Sequence, residues 1–332
     1  MDYLIELFMA IFGATSQGLA WAILALGVYI TFRILNFADL SCEGTFALGG
    51  SISAILVVSL QWNPFLSLIV ATAAGMIAGS VTGFLHTKLK IPAILSGILT
   101  MIGLYSVNLR IMGKANTSLI GQSTIISIIK GFLPEAEQLG IKDSTLQTGV
   151  SLVVGLVFTL VVIIILYWYF GTETGSCIRA TGNNPAMVRA QGVNTDKMTI
   201  LGLVISNGFI ALSGALVTQS QGYADVGMGI GSIVIGLASI VIGEVLYRKA
   251  KNFARKLLAI VIGSIVYRII IAVVLQMGMD TNDMKLLTAI VVAIALSVPV
   301  ISKNKVFINI IRFISKLALW IKSRVFVRKE GK

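Results

Sequence analysis

Charge is scarce in this chain. Only 12% of its 332 residues are Asp, Glu, Lys or Arg, about half the share of a soluble domain, which excludes an ordinary water-soluble globule. The two cysteines, Cys42 and Cys177, make no disulfide framework, and two unpaired thiols are expected. Histidine occurs once, as His86 at the end of an apolar run, and no cluster of His, Cys and carboxylates marks a metal site. The phosphate-loop pattern G-x-x-x-x-G-K-[ST] is missing, so ATP hydrolysis by that route is excluded. No nucleophile stands with a base. Catalytic residues, a metal and a cofactor are therefore not expected. The net charge of +12 points to a nucleic-acid partner only if the apolar runs are ignored, and none is expected.

Long apolar runs are what the sequence has instead, with 56% hydrophobic residues overall. A bilayer core needs ~20 apolar residues per helix. Such runs fall near 4–32, 44–62, 65–86, 91–112, 147–170, 198–220, 229–247, 256–277 and 284–301. The fold expected is an all-α polytopic transmembrane bundle of about nine spans; a break near the second run allows eight or ten. The start, "MDYLIELFMAIFG", carries Asp2 and Glu6 with no basic region and reads as the first span rather than a signal peptide.

The connectors carry the sidedness. "HTKLKIP", the polar loop at 171–197 and "YRKAKNFARK" are basic, while "GMDTNDM" is acidic. Basic flanks stay in the cytoplasm. The N-terminus, the loop at 113–146 and the loop at 278–284 then fall outside. A membrane domain over 1–302 is followed by a tail at 303–332, in which nine Lys or Arg oppose one Glu from Ser302 onward. Its basic and apolar residues separate onto two helical faces, as in a helix lying on the inner leaflet.

Two stretches interrupt the apolar pattern. "FRILNFADLSCEGTFALGG" places Arg33, Asn36, Asp39 and Glu43 between two spans, and "QGYADVGMGIGSIVIG" repeats its aromatic-Ala-Asp triplet at Tyr223, Ala224 and Asp225. Glycines follow both acids, as where one helix breaks and another begins. The pair suggests inverted repeats in two pseudo-repeated halves, a common transporter design. Asp39 and Asp225 are each expected to accept orphan amides at a helix start. The other reading makes Asn36, Asp39, Glu43, Asn207, Tyr223 and Asp225 a polar lining of a translocation path, since intramembrane ionisable residues face interiors or water. Arg110 and Arg268 are expected to snorkel. Glu244 is expected to pair with Arg248 or Lys249. Asn108 and Asn207 are expected to bond between helices.

The loop "GNNPAMVRAQG" is built as a short helix. Asn184 is a good N-cap, Pro185 suits the first helical position, and Gly192 can take the left-handed stop. About two turns, roughly 10 Å, lie between them. Ala186, Met187 and Ala190 form a small apolar face, and Arg189 adds charge. So short a helix at a membrane surface has little core to bury against and suits a partner's grip.

Here the sequence resembles a known family. Arg179-Ala180-Thr181-Gly182-Asn183-Asn184, followed by Gly192-Val193-Asn194, is similar to the cytoplasmic coupling segment of permeases in the branched-chain amino acid and ribose-type group of ABC importers. "NFAD" in the opening stretch and the segment from Ser206 to Glu244 resemble the matching parts of that group, over roughly residues 15–300 in all. The nearest likeness is to the subgroup associated with tryptophan or tyrosine uptake, and Asp39 stands where branched-chain permeases typically have His, a departure that counts against a branched-chain substrate.

The resemblance implies a membrane subunit of a bacterial ABC importer in the cell membrane, carrying an amino acid, with an aromatic one favoured. It implies a separate ATPase subunit that binds the ATP and grips Asn183, Asn184, Pro185, Ala186, Met187, Arg189, Ala190 and Gly192. It also implies an extracytoplasmic solute-binding protein and a second permease copy, as a homodimer or with a homologue. Two other classes stay open: an ion-coupled secondary transporter using Asp39, Glu43 and Asp225, and a non-transporting membrane scaffold.

Overall fold

The computed structural model describes residues 2–134, 142–247 and 252–276, with 286, 288–293 and 297 beyond. The first apolar run forms α1 (Asp2–Tyr29), which widens into a π-helical stretch, Ile30–Ile34. Then come α2 (Ser41–Val58), α3 (Pro64–Thr87) and α4 (Ala93–Met112). A short strand β1 (Asn116–Ser118) and α5 (Ile125–Gly131) precede α6 (Asp143–Gly171), α7 (Glu173–Asn183) and α8 (Pro185–Ala190). The chain closes with α9 (Thr195–Gln221), β2 (Tyr223–Asp225), α10 (Ser232–Leu246) and α11 (Phe253–Gln276).

Local chemistry sets several of these ends. Asn63 accepts from Phe65 N at 2.9 Å with Pro64 in the first position of α3. Thr124 and Ser127 form a capping box on α5. Gly222, at φ 78°, stops α9 in the left-handed conformation.

The protein is a polytopic helical bundle. Among the described residues seven helices are long and apolar enough to cross a membrane, and α10 is a shorter apolar helix of 15 residues. The run expected at 284–301 lies mostly outside the described residues, and the tail at 303–332 wholly so.

α1, α2 and α9 form the centre. Hydrophobic burial does not drive helices together in lipid, so small residues and interhelical hydrogen bonds must. α1 is tied on three sides through its own carbonyls. Ser206 bonds Gly27 O at 2.7 Å, Ser213 bonds Ala20 O at 2.7 Å, Thr159 bonds Leu19 O at 2.9 Å and Ser264 bonds Gly18 O at 2.8 Å. Each such bond contributes about 0.6 kcal/mol. α2 and α9 touch backbone to backbone, Gly214 against the carbonyl of Phe46 and Gly49 against Ala211. A lone amide, Gln219, gathers four segments: its Nε2 reaches Ser53 Oγ and Ser67 Oγ, both at 3.0 Å, and Pro64 O at 3.2 Å, and its Oε1 accepts from Ile125 N at 3.0 Å.

Two helices start at mid-depth. α2 begins beside Asn207, at the middle of α9, and runs parallel to it as far as the Ser53–Gln219 contact. The link from α1 to α2 turns through Asn36, whose φ of 53° is left-handed, a conformation Asn tolerates. On the other side β2 pairs antiparallel with β1, Asp225 opposite Asn116 and Tyr223 opposite Ser118. The chain then returns into the bundle through successive turns: Met228 N bonds Asp225 O at 3.1 Å, Ile230 N bonds Gly227 O at 3.0 Å and Ser232 N bonds Gly229 O at 3.0 Å. Val226 packs with Ala54 and Val57, Met228 lies beside Gly50 and Gly229 lies against Glu43. That descent follows about 16 Å of α2. α10 therefore starts level with the start of α2, and the two helices diverge toward opposite ends. Non-helical backbone at such depth is tolerated where protein surrounds it.

The expected pairing of Asp225 with a helix start is corrected here. Strand pairing with β1 holds the triplet at the end of the bundle, and α10 begins seven residues later, at Ser232. Contacts sort the connectors into two ends. Arg33–Glu244 at 2.6 Å, Lys90–Asp196 at 3.6 Å and the seat of Gly182 on Ile34 share one. The β1–β2 ribbon and α5 share the other, where Gln219 meets Ile125.

Candidate functional site

At mid-depth two acids hold the helix starts, Asp39 at α2 and Glu43 at α10. Asp39 Oδ1 accepts from Ser41 N at 2.9 Å and from the Ser41 hydroxyl, and Oδ2 accepts from Asn207 Nδ2 at 2.8 Å. Asp39 is 2% exposed and Asn207 fully buried. No Lys or Arg lies within ion-pair reach of Asp39 among the described residues. Its carboxyl group is held by these donors, beside the positive end of α2.

Glu43, in the first turn of α2, reaches across to α10 and accepts from Gly231 N at 3.0 Å. Gly231 occupies the N-cap of α10 at φ 85° and has no side chain to offer. The bond satisfies Gly231's own amide, the donor that a Glu or Gln at the third helical position takes in a capping box, where α10 has Val234 instead. Asp225 instead closes a turn on itself, accepting from Gly227 N at 2.7 Å.

The structure thus brings together Asp39, Glu43 and Asn207 and leaves the other three residues of the expected lining elsewhere. Tyr223 and Asp225 sit on the ribbon, and Asn36 lies exposed at the opposite end. Asp39 and Asn207 face each other and not open space. Glu43 is half-buried.

The second part of the site is the surface helix α8. Asn184 Oδ1 accepts from Met187 N at 3.1 Å, Pro185 takes the first position, and Gly192 turns at φ 84°. Asn183, Pro185, Ala186, Met187, Arg189 and Ala190 are exposed. Val188 alone is buried, at 2%, and pins the helix down. The preceding α7 is seated by Gly182, whose backbone lies against the carbonyl of Ile34, where α1 ends. One rigid contact therefore joins the exposed knob to the break between α1 and α2.

Some of these roles were missed in the sequence. Val188 could have been found as the apolar residue between two exposed neighbours of a capped helix. Gln219 could have been found as a lone amide in an apolar run, a polar group that must be satisfied in lipid. Arg268 does not snorkel: its guanidinium lies 4.3 Å from the centre of the Trp21 ring and donates to Gln17 Oε1 at 3.4 Å. Glu244 pairs with Arg33; Arg248 and Lys249 lie outside the described residues. Asn108 donates to Gly44 O at 3.1 Å, a bond between helices. No group of three metal-ligating side chains occurs among the described residues.

Residues 10–297 match the family described as the permease component of branched-chain amino acid transport systems. A tyrosine transport system permease protein of Clostridioides difficile is 39% identical over 282 residues, covering 85% of this chain and 88% of that one. An uncharacterized protein of Rickettsia prowazekii is 34% identical, covering 86% of this chain and 95% of that one. A ribose import permease protein of Haemophilus influenzae is 27% identical, covering 59% of this chain and 57% of that one.

Proposed function

The chain belongs to the family of branched-chain amino acid transport permease components, and from that membership we propose that it carries an aromatic amino acid, tyrosine or tryptophan, inward at the expense of ATP. Coarsely, it is an ABC-type membrane permease for uptake of an amino acid or a sugar, and not an enzyme. The aromatic cargo is supported by the relative named as a tyrosine permease, which aligns along most of both chains.

A separate ATPase subunit grips α8, and a binding protein delivers cargo at the ribbon end. Two copies of the chain enclose the path. The observation that carries this reading is the seat of Gly182 on Ile34. A push on α8 reaches the end of α1, and beyond it Asp39 and Glu43 hold the starts of α2 and α10. These acids act by fixing two helix starts at mid-depth, so that access switches by moving helices and not by titrating a carboxylate.

Arg189→Glu reverses charge on the exposed face of α8 and leaves its cap and its Val188 anchor intact. We expect it to abolish copurification of the ATPase and ATP-driven uptake while the protein still inserts. Unchanged copurification and uptake would remove α8 from this role.

A further inference from the structure

One cleft borders the coupling seat, with Ile34 and Gly182 in its wall, and the function just proposed gives it no ligand. It opens at the α8 end, where the end of α1, α7 and the start of α11 meet, and its volume is about 530 Å³. Arg33, Arg179 and Lys256 line it with Asn36 and Asn183, and its lining residues include no carboxylate. Arg33 is answered by Glu244 at 2.6 Å, in the adjoining cleft. Arg179 and Lys256 make no ion pair among the described residues. Arg179 is held at the wall, 6.0 Å from the centre of the Phe253 ring, a contact that orients the guanidinium without neutralising it.

Cations gathered in a concave site repel one another and raise the local concentration of anions. Guanidinium groups present paired donors that fit phosphate oxygens, an ammonium adds a point charge, and the Asn amides add neutral donors. Basic pockets between membrane helices on the cytoplasmic side take phosphate headgroups.

We infer that this cleft binds a phosphate group, carried by the headgroup of an anionic lipid in the adjoining leaflet or by free phosphate. A phosphate there touches the end of α1, α7 and the start of α11 at once. It fastens the coupling segment to the bundle, and coupling then depends on the bound anion. The choice of leaflet and the effect on coupling rest on the proposed function; the binding of phosphate in the cleft does not.

The test uses the purified full-length chain in detergent. Native mass spectrometry measures retention of phosphatidylglycerol against phosphatidylcholine, and thermal unfolding is followed with and without inorganic phosphate. The variants are Arg179→Gln, Lys256→Gln, both together, and Lys88→Gln as a basic control on another connector. At about one surface-charge contribution per residue, each single substitution weakens phosphatidylglycerol binding about fivefold and the pair about 25-fold, with the control unchanged. Protection by inorganic phosphate that the double variant loses, without selective lipid retention, assigns the site to free phosphate. Lys256 is exposed, so Lys256→Gln stays informative should Arg179→Gln unfold the chain. Wild-type retention of phosphatidylglycerol and undiminished phosphate protection in the double variant overturn the inference. No transport is measured, so failure of the importer reading leaves the result standing.

Discussion

Glu43 and Gly231 stand 188 positions apart, and the carboxylate of the first accepts the backbone amide of the second at 3.0 Å. This bond joins the starts of α2 and α10 in the middle of the bundle. It takes the reciprocal half of a capping box that α10 cannot supply for itself, because Val234 stands at its third position.

Glu43→Gln keeps an acceptor for Gly231 and removes the charge, so uptake and thermal stability should remain near wild type. Glu43→Ala leaves the amide without a partner and should cost about 1 kcal/mol, the usual loss of a cap. Thermal unfolding of the two variants in one detergent, beside uptake in vesicles, checks the order. An equal loss in both would mean that the charge itself is required.

Asp39→Asn keeps an oxygen for Ser41, and Asn207 can present its own oxygen to the new amide after a side-chain flip. Much of the ATP-driven uptake should survive. Asp39→Ala strands the Ser41 amide in a buried site, worth about 1–3 kcal/mol, and leaves Asn207 Nδ2 only its bond to Leu203 O. Expression, unfolding temperature and uptake should all fall further than in the Asn variant.

Gly182→Ala places a methyl group into the carbonyl of Ile34. We expect α7 to shift and ATP-stimulated uptake to drop at least several-fold with insertion intact. Gly192→Ala meets no neighbour and adds only the strain of φ 84°, about 1 kcal/mol, so it should be the milder of the two. Comparing their uptake per membrane-inserted protein separates seating from strain.

Gln219→Leu removes the partner of Ile125 N and two shared hydroxyl contacts. It should lower stability by roughly 2 kcal/mol or more and loosen α5, since a buried donor left unmade costs about 1–3 kcal/mol. Hydrogen exchange at residues 125–131 reports the second effect, and exchange as slow as in wild type would show that α5 does not depend on Gln219.

The long spans were legible because each is a local property. The run read at 65–86 is α3 at Pro64–Thr87, and that at 147–170 is α6 at Asp143–Gly171. The cap geometry of α8 was legible for the same reason: Asn184, Pro185 and Gly192 act on their neighbours. α7 was missed because its residues are polar and small. The run read at 229–247 began too early, because Gly229 and Gly231 belong to turns that follow α2 into the bundle. The aromatic-Ala-Asp repeat looked like one device used twice. Its copies differ because the partners are distant in sequence: Asn207 for the first, and Asn116 through the strand pairing for the second. No local pattern names such partners, and the same holds for Glu43 with Gly231.

The power source separates the account from its strongest rival. Sealed vesicles holding the full chain with the proposed ATPase and binding protein would be given labelled tyrosine, first with ATP and no proton gradient, then with a gradient and no ATP. The account predicts that ATP alone drives accumulation and that Asp39→Asn retains most of it. Accumulation that needs the gradient, ignores ATP and vanishes in Asp39→Asn or Asp225→Asn would contradict it, and would make the chain an ion-coupled carrier.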